Sequence, residues 1–334
     1  MPSTPVDELK RRQRRFQVLS LDGGGILGIF TAALLAGLDK DLGHPVLRHF
    51  DLVVGTSTGG IIAAGLGAGM TAAEIADLYA SEMATIFPRP RRLVAARQLV
   101  RPKYRPDGLE KVLRRVFGER ILGESQVPLV IPSFDLGENR VYLFKTPHHQ
   151  RLKRDWKLPF WQVAMATSAA PTFFPAFCLP GDHVRLVDGG VWANNPAVVG
   201  VAEAVSMFGQ PLETIRVLSL GTTASPRTRM RRLDNGGLLQ WVRGPSVVNV
   251  LLTGQSVGAF TQVQHLIGPA NAVRLDPPAP PGLARLDAAD ARDLRAKAAY
   301  HSRQFCPSFE AVFADHVPGP YQPWYGPDSE SRQP

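Results

Sequence analysis

Ser57 stands where an apolar run breaks. In FDLVVGTSTGG (Phe50 to Gly60), Leu52, Val53 and Val54 lead into Gly55-Thr56-Ser57-Thr58-Gly59, and IIAAGLGAGM resumes as an apolar helical pattern. The five residues fit G-x-S-x-G, the turn that lifts a nucleophilic hydroxyl clear of its own backbone between a strand and a helix. Glycines two positions either side are needed there because side chains at those places would collide. The pattern is weak alone; its place between an apolar strand and an apolar helix strengthens it.

A second glycine cluster, Asp22-Gly23-Gly24-Gly25-Ile26-Leu27-Gly28, follows the strand-like QVLSLD. Gly23, Gly25 and Gly28 satisfy G-x-G-x-x-G, which raises a dinucleotide reading. That reading needs an acid closing the next strand to hold a ribose, and the next strand closes in GTSTG instead. Consecutive glycines before a helix also serve as bare backbone donors for an anion. Beside Ser57, the amides of Gly23, Gly24 and Gly25 would form an oxyanion hole, where one donor is typically worth about 3 kcal/mol of barrier.

A serine needs a base. The chain has eight histidines (His44, His49, His148, His149, His183, His265, His301 and His316), and none follows a strand end in a glycine-flanked context. Asp188 does: it ends HVRLVD and is followed by Gly189 and Gly190. An ordinary carboxylate is a poor base, so burial must raise its basicity, or proton transfer must be concerted with attack. The expected pair is a Ser57–Asp188 dyad. The competing use of Asp188 is as a turn cap before Asn195-Pro196.

The elements that must position these residues alternate. Strands are expected at QVLSLD, HFDLVV, VPLVIPSFDL, RVYLFKT, HVRLVD, IRVLSLGT and AVRLD. Helices are expected from ILGIFTAALLAGLDKDL, from STGGIIAAGLGAG, over Ala72–Ile86 behind a Thr71/Glu74 capping box, and from GLEKVLRRVFG capped by Asp107. Further helices are expected in LPFWQVAMATSAA, after an Asn195-Pro196 start, over 246–267, and in LDAADARDLRAKAAYHSRQF. This alternation indicates an α/β fold with a mainly parallel sheet covered on both faces. Residues 1–15 are expected as a flexible leader, about 86–106 as a cap or insertion, and 317–334 as a loose Pro-rich tail around a hydrolase domain at 16–316.

DGGGxxG, GTSTG and DGG, in this order, together with MATSAAPTFFPAF and DGGVWANNP, resemble the patatin-like phospholipase family from about Val18 to Thr222. The resemblance implies a three-layer α/β/α sandwich, the Ser57–Asp188 dyad, the Gly23–Gly25 oxyanion hole and hydrolysis of acyl esters in membrane phospholipids. Asp22, Gly28, Gly55, Gly59, Gly189 and Gly190 are the supporting motif positions. Many relatives carry Arg or Lys just before the last glycine of the first motif; here it is Leu27, so headgroup preference does not carry over. Length, the 88–106 segment and the region after Gly221 are similar to bacterial patatin-like effectors switched on by cyclic oligonucleotides in anti-phage defence. That branch implies a cyclic di- or trinucleotide activator, with basic segments and Tyr104, Trp156 or Trp241 as its contacts or else as packing residues.

Composition sets the outer bounds. The 334 residues are 44% hydrophobic with a net charge of +9, the excess being arginine in three clusters: Arg11–Arg15, 88–105 and 227–232. Such charge suits phosphate-bearing partners or a plain solvated surface. Two cysteines make no disulfide framework, and no apolar run reaches the roughly 18 residues of a membrane span. A cytoplasmic protein, peripheral at the inner membrane when active, is expected. No spaced ligand set suggests zinc or calcium, no cofactor and no DNA or RNA partner is expected, and oligomerisation stays open. Three readings stand: a lipid acyl hydrolase, a nucleotide-gated effector with latent lipase activity, and a dinucleotide-binding oxidoreductase resting on the glycine fingerprint alone.

Overall fold

A computed structural model describes residues 15–88, 101–181, 184–223, 237, 246–278 and 290–327. In chain order the elements are β1 (Phe16–Leu21), α1 (Gly28–Leu42), β2 (Leu52–Gly55), α2 (Thr58–Gly67), α3 (Ala72–Ile86), α4 (Asp107–Phe117), β3 (Leu129–Asp135) and β4 (Arg140–Lys145). There follow α5 (Phe160–Thr167), β5 (Phe177–Cys178), β6 (Arg185–Asp188), α6 (Gly190–Ala193), α7 (Ala197–Ser206), β7 (Ile215–Leu220), α8 (Ser246–Ile267), β8 (Ala272–Leu275) and α9 (Ala291–Phe313).

The strands form one sheet in the order β5-β6-β3-β2-β1-β7-β8, with β4 also on β3. From β3 to β8 every neighbour is parallel, while β4, β5 and β6 enter antiparallel. The alternation of side chains along each strand sorts the core in two. Leu19, Leu21, Val53 and Leu218 face one cluster with Phe30, Ile62, Phe160 and Phe309. Val18, Leu52, Val54 and Val217 face the other, under Val201 and Val263. A strand buried on both faces reads as a continuous apolar run, and two helical layers follow from it.

The pairing of β3 brings the two motif strands together. One edge of β3 is taken along Val130–Asp135 by β4. Its other edge is shared: β2 runs parallel to it at Leu129 and Val130, and β6 runs antiparallel at Ser133 to Asp135. Running in opposite senses on one edge, β2 and β6 point their C-terminal ends at each other. The three residues from Val130 to Ser133 span about 10 Å, which is the gap the turns after Gly55 and at Asp188 must fill.

Several element boundaries differ from the sequence reading. The Thr71/Glu74 box is present, with Thr71 N–H donating to Glu74 Oε2 (2.8 Å) and Glu74 N–H to Thr71 Oγ1 (3.2 Å). Asp107 is not the cap of α4 but its first residue, with Pro106 before it, where its charge still faces the positive helix end. Asn195 caps α7 by accepting from the Ala197 amide (2.9 Å), and the short α6 intervenes before it. α9 continues through Pro307 to Phe313, because Phe309 and Phe313 are buried beside Phe50 and that burial outweighs one lost backbone bond. No described helix is long and apolar enough to cross a membrane.

Candidate active site

Ser57 directly precedes α2, two residues past the end of β2, at φ 55° and ψ −121°. A non-glycine residue in that region stores about 1–3 kcal/mol of strain, kept only when the surroundings over-determine it. The surroundings do. Its N–H donates to Thr167 Oγ1 (3.0 Å), and Thr167 in turn donates to the Pro132 carbonyl (2.6 Å), so the end of α5 rivets the turn to β3. The flanking glycines are required by backbone, not by neighbouring side chains. A Cβ on Gly55 would lie 2.2 Å from the Gly59 carbonyl oxygen, and one on Gly59 would lie 2.2 Å from that of Leu21.

Asp188 closes β6, and Ser57 Oγ donates to its Oδ2 at 2.6 Å. Its other oxygen accepts from the Gly190 amide at 2.7 Å, and its own amide donates to the Ala169 carbonyl. Gly189 packs on β3, where a Cβ would stand 2.4 Å from the Pro132 carbonyl oxygen; one on Gly190 would come within 3.0 Å of Asp188 Oδ1. Burial pushes the Asp188 pKa up to about 6, while the bonds from Ser57 and Gly190 restrain the rise. The burial that a basic aspartate requires is therefore present.

The glycine loop differs from expectation at one position. The Gly23 amide donates to the Asn194 carbonyl (2.9 Å), so it is not free to hold an oxyanion, and Gly23 leaves the expected donor set. Gly24 and Gly25 line the cavity above Ser57, and neither amide donates to another described residue. Gly25 has φ 57°, a conformation that suits glycine. Behind the loop, a Cβ on Gly24 would meet Thr222 Oγ1 at 2.0 Å, and one on Gly28 would meet Thr58 Oγ1 at 2.0 Å.

Asp22 begins this loop and is held from β8. Arg274 Nη2 lies 2.7 Å from Asp22 Oδ2 and 2.7 Å from Asp276 Oδ2, and Nη1 donates to Ser219 Oγ (2.8 Å). Burial raises the Asp22 pKa and Arg274 opposes that rise. Burial also works against the Arg274 charge, but its two carboxylates outweigh it and keep the guanidinium protonated. Leu27 is buried in the core.

A cavity of about 300 Å³ opens over the pair, and its lining is almost wholly apolar. Ser168 and Ala170–Phe174, from the MATSAAPTFFPAF segment, form one wall; Ile86, Phe87 and Leu109 form another; Val191, Val248 and Leu251 stand at an exposed rim. No described histidine lines it. His148 is instead buried against Glu203, His49 bonds to the His316 carbonyl, and the His316 ring bonds to Asp51. His183 and Trp241 lie outside the described residues, as do most of the three arginine clusters. Tyr104 is buried among Phe87, Phe173 and Phe174 as a packing residue of the cavity wall, and Trp156 sits half-buried beneath Lys157.

The fold, the elbow and the glycine loop converge with comparison to known proteins: the patatin-like phospholipase model matches residues 19–200. The chain belongs to that family. Ser57, Asp188 and all three glycine motifs fall inside the matched span, whereas Val248, Leu251 and Arg274 lie beyond it. Three relatives are each named "cGAMP-activated phospholipase". One from Pseudomonas aeruginosa is 36% identical over 62% of this chain and 62% of its own length. One from Vibrio cholerae is 35% identical over 66% and 68%, and one from Escherichia coli 32% identical over 72% and 72%. The family is one of lipid-hydrolysing esterases, and the dinucleotide-binding oxidoreductase reading of the first glycine motif falls away.

Thr167, Asn194 and Arg274 were not singled out from sequence. Thr167 and Asn194 adjoin the motifs but carry no distinguishing spacing. Arg274 is 252 residues from Asp22 and reads as one more residue of a short strand.

Proposed function

We propose that the protein is a phospholipase of the A type in which Ser57 and Asp188 act as a dyad. The observation that carries this is the 2.6 Å Ser57 Oγ–Asp188 Oδ2 hydrogen bond at the floor of an apolar cavity. Ser57 Oγ attacks the ester carbonyl carbon as Asp188 takes its proton, and the Gly24 and Gly25 amides receive the oxyanion. Collapse expels the lysolipid alcohol, which regains that proton from Asp188, and leaves an acyl-serine. Asp188 then takes a proton from water, the hydroxide equivalent attacks the acyl carbonyl, and Ser57 departs reprotonated with release of a fatty acid. An aspartate near pKa 6 is ionised at neutral pH yet basic enough to share the proton in the transition state.

Membrane phospholipid as substrate is supported by the apolar cavity, by the exposed Val191, Val248 and Leu251 at its rim, and by a net charge of +9 that favours anionic surfaces. The names of the three relatives support a cyclic dinucleotide as activator. The test is fatty-acid release from phosphatidylethanolamine/phosphatidylglycerol vesicles, with and without cGAMP. Release should depend on the nucleotide and vanish in Ser57→Ala and Asp188→Asn. Wild-type turnover in either variant refutes the dyad; equal release without nucleotide leaves a constitutive hydrolase.

A further inference from the structure

Next to the cavity over Ser57 lies a second one of about 220 Å³, and the two share Leu109, Ser168 and Phe174 as common wall. The second is bounded further out by Met165, Phe177 and Cys178, and Cys178 is exposed, so this compartment leads from the active-site wall toward solvent. The partition is thin. Phe174 is its large element. Ser168 contributes only a short side chain, whose buried hydroxyl has no hydrogen-bond partner among the described residues. The Phe174 side chain carries no polar atom, so its share of the partition rests on packing alone.

The backbone carrying Phe174 is strained. Thr172 has φ 72°, and a β-branched residue is a genuine outlier there. Its turn is held by two bonds from the segment after the 88–100 stretch: Lys103 N–H to the Thr172 carbonyl (2.9 Å) and Tyr104 N–H to the Phe173 carbonyl (2.8 Å). The Phe174 ring packs on Phe87 and Tyr104, with centroids 6.1 and 5.7 Å away. On its other side the Phe173 and Phe174 amides donate to the Ala170 carbonyl (3.0 and 2.9 Å), so the backbone is fixed and the Phe174 side chain is the movable part of the partition.

We propose that the compartment behind Phe174 receives the distal part of the fatty acyl chain whose carbonyl carbon sits at Ser57, with Phe174 as the gate that sets usable chain length. This rests on the acyl-hydrolase reading of Ser57 and Asp188. The occupant is set by continuity: what lies in the first cavity is an acyl chain, and the space beyond its shared wall is the direct extension of that chain. Removing the gate joins the two volumes, and replacing it with a larger ring seals them.

The first test is kcat/KM for p-nitrophenyl butyrate and palmitate in the full chain with cGAMP present. Phe174→Ala should raise the palmitate-to-butyrate ratio about tenfold, the gain expected from roughly two further buried methylenes. Phe174→Trp should lower it. An unchanged ratio in both overturns the proposal. The second test needs no hydrolysis and no altered gate. In Ser57→Ala protein, palmitate should slow alkylation of Cys178 several-fold, read by peptide mass spectrometry, while butyrate should not; Cys306 serves as the internal reference. Equal Cys178 rates with and without palmitate overturn the proposal. Because protection is read in a protein that cannot turn over, failure of the dyad and failure of the subsite remain distinguishable.

Discussion

The floor and the rim of this cavity are built on opposite principles. At the floor, Ser57 and Asp188 stand on strand ends, and glycines at 55, 59 and 189 let main chain press on main chain at distances no Cβ would tolerate. At the rim, Val191, Val248 and Leu251 are exposed, and α8 carries no Asp, Glu, Lys or Arg. Backbone contacts cannot be retuned by substitution, so they suit the placing of reacting atoms. Side-chain contacts can open and close at modest cost, so they suit a substrate that must leave a bilayer.

The contrast is sharpest at Asp188. Asp188→Asn should abolish turnover, since an amide cannot take the serine proton, and yet it should stabilise the fold at alkaline pH. The folded-state pKa, about 6, lies above the ordinary 3.8, so the folded protein holds this proton more tightly than the unfolded chain. The stability linked to it is complete below about pH 4 and is lost as pH rises through 6. The variant should thus gain up to about 3 kcal/mol at pH 8 and little at pH 4, as read by denaturant melts at the two values. In wild type, kcat should fall as pH drops below about 6, because the protonated acid is no base.

Gly59→Ala tests the floor by stability. A methyl group 2.2 Å from the Leu21 carbonyl forces β1 and α2 apart, and a loss of about 3 kcal/mol is expected. A melt within a few tenths of wild type would show that the two elements separate freely.

Arg274→Met should act on the floor from behind. Burial already lifts the Asp22 pKa to about 7 against the pull of Arg274; without that cation Asp22 keeps its proton to higher pH and the glycine loop loses its anchor. We expect kcat to drop about tenfold with KM little changed, and the Asp22 ionisation to move to higher pH in the rate profile, measured on a soluble ester. An equal rise in KM would instead assign Arg274 to substrate binding. The smallest effect belongs to the rim. Leu251→Asp should leave soluble-ester hydrolysis within about twofold and lower release from vesicles several-fold, since one exposed side chain contributes only part of a lipid contact.

The legible parts of the molecule were those with a local physical cause. Leu52–Val54 running into Gly55 and Ser57, or Asp188 before paired glycines, announce a strand end and a clearance that any reader of the chain can find. The Thr71/Glu74 box is equally local, because both partners lie within one turn. Gly23 shows the limit: nothing in DGGG distinguishes an amide that faces an oxyanion from one that donates to Asn194, since the partner arrives from 171 residues away in the chain. Tyr104 shows the same limit, its ring being equally suited to a ligand surface or to the cluster with Phe87, Phe173 and Phe174 that it joins.

By itself the sequence determined the alternation of elements, the strained serine turn and the carboxylate at a strand end, because each is encoded by residues within a few positions of one another. Only the tertiary structure decided that the two strands meet end to end on one edge of β3, which amides stay free, and that burial makes Asp188 basic. Those properties depend on which distant segments lie within a few ångströms and on how much water they exclude, and no local pattern carries that information.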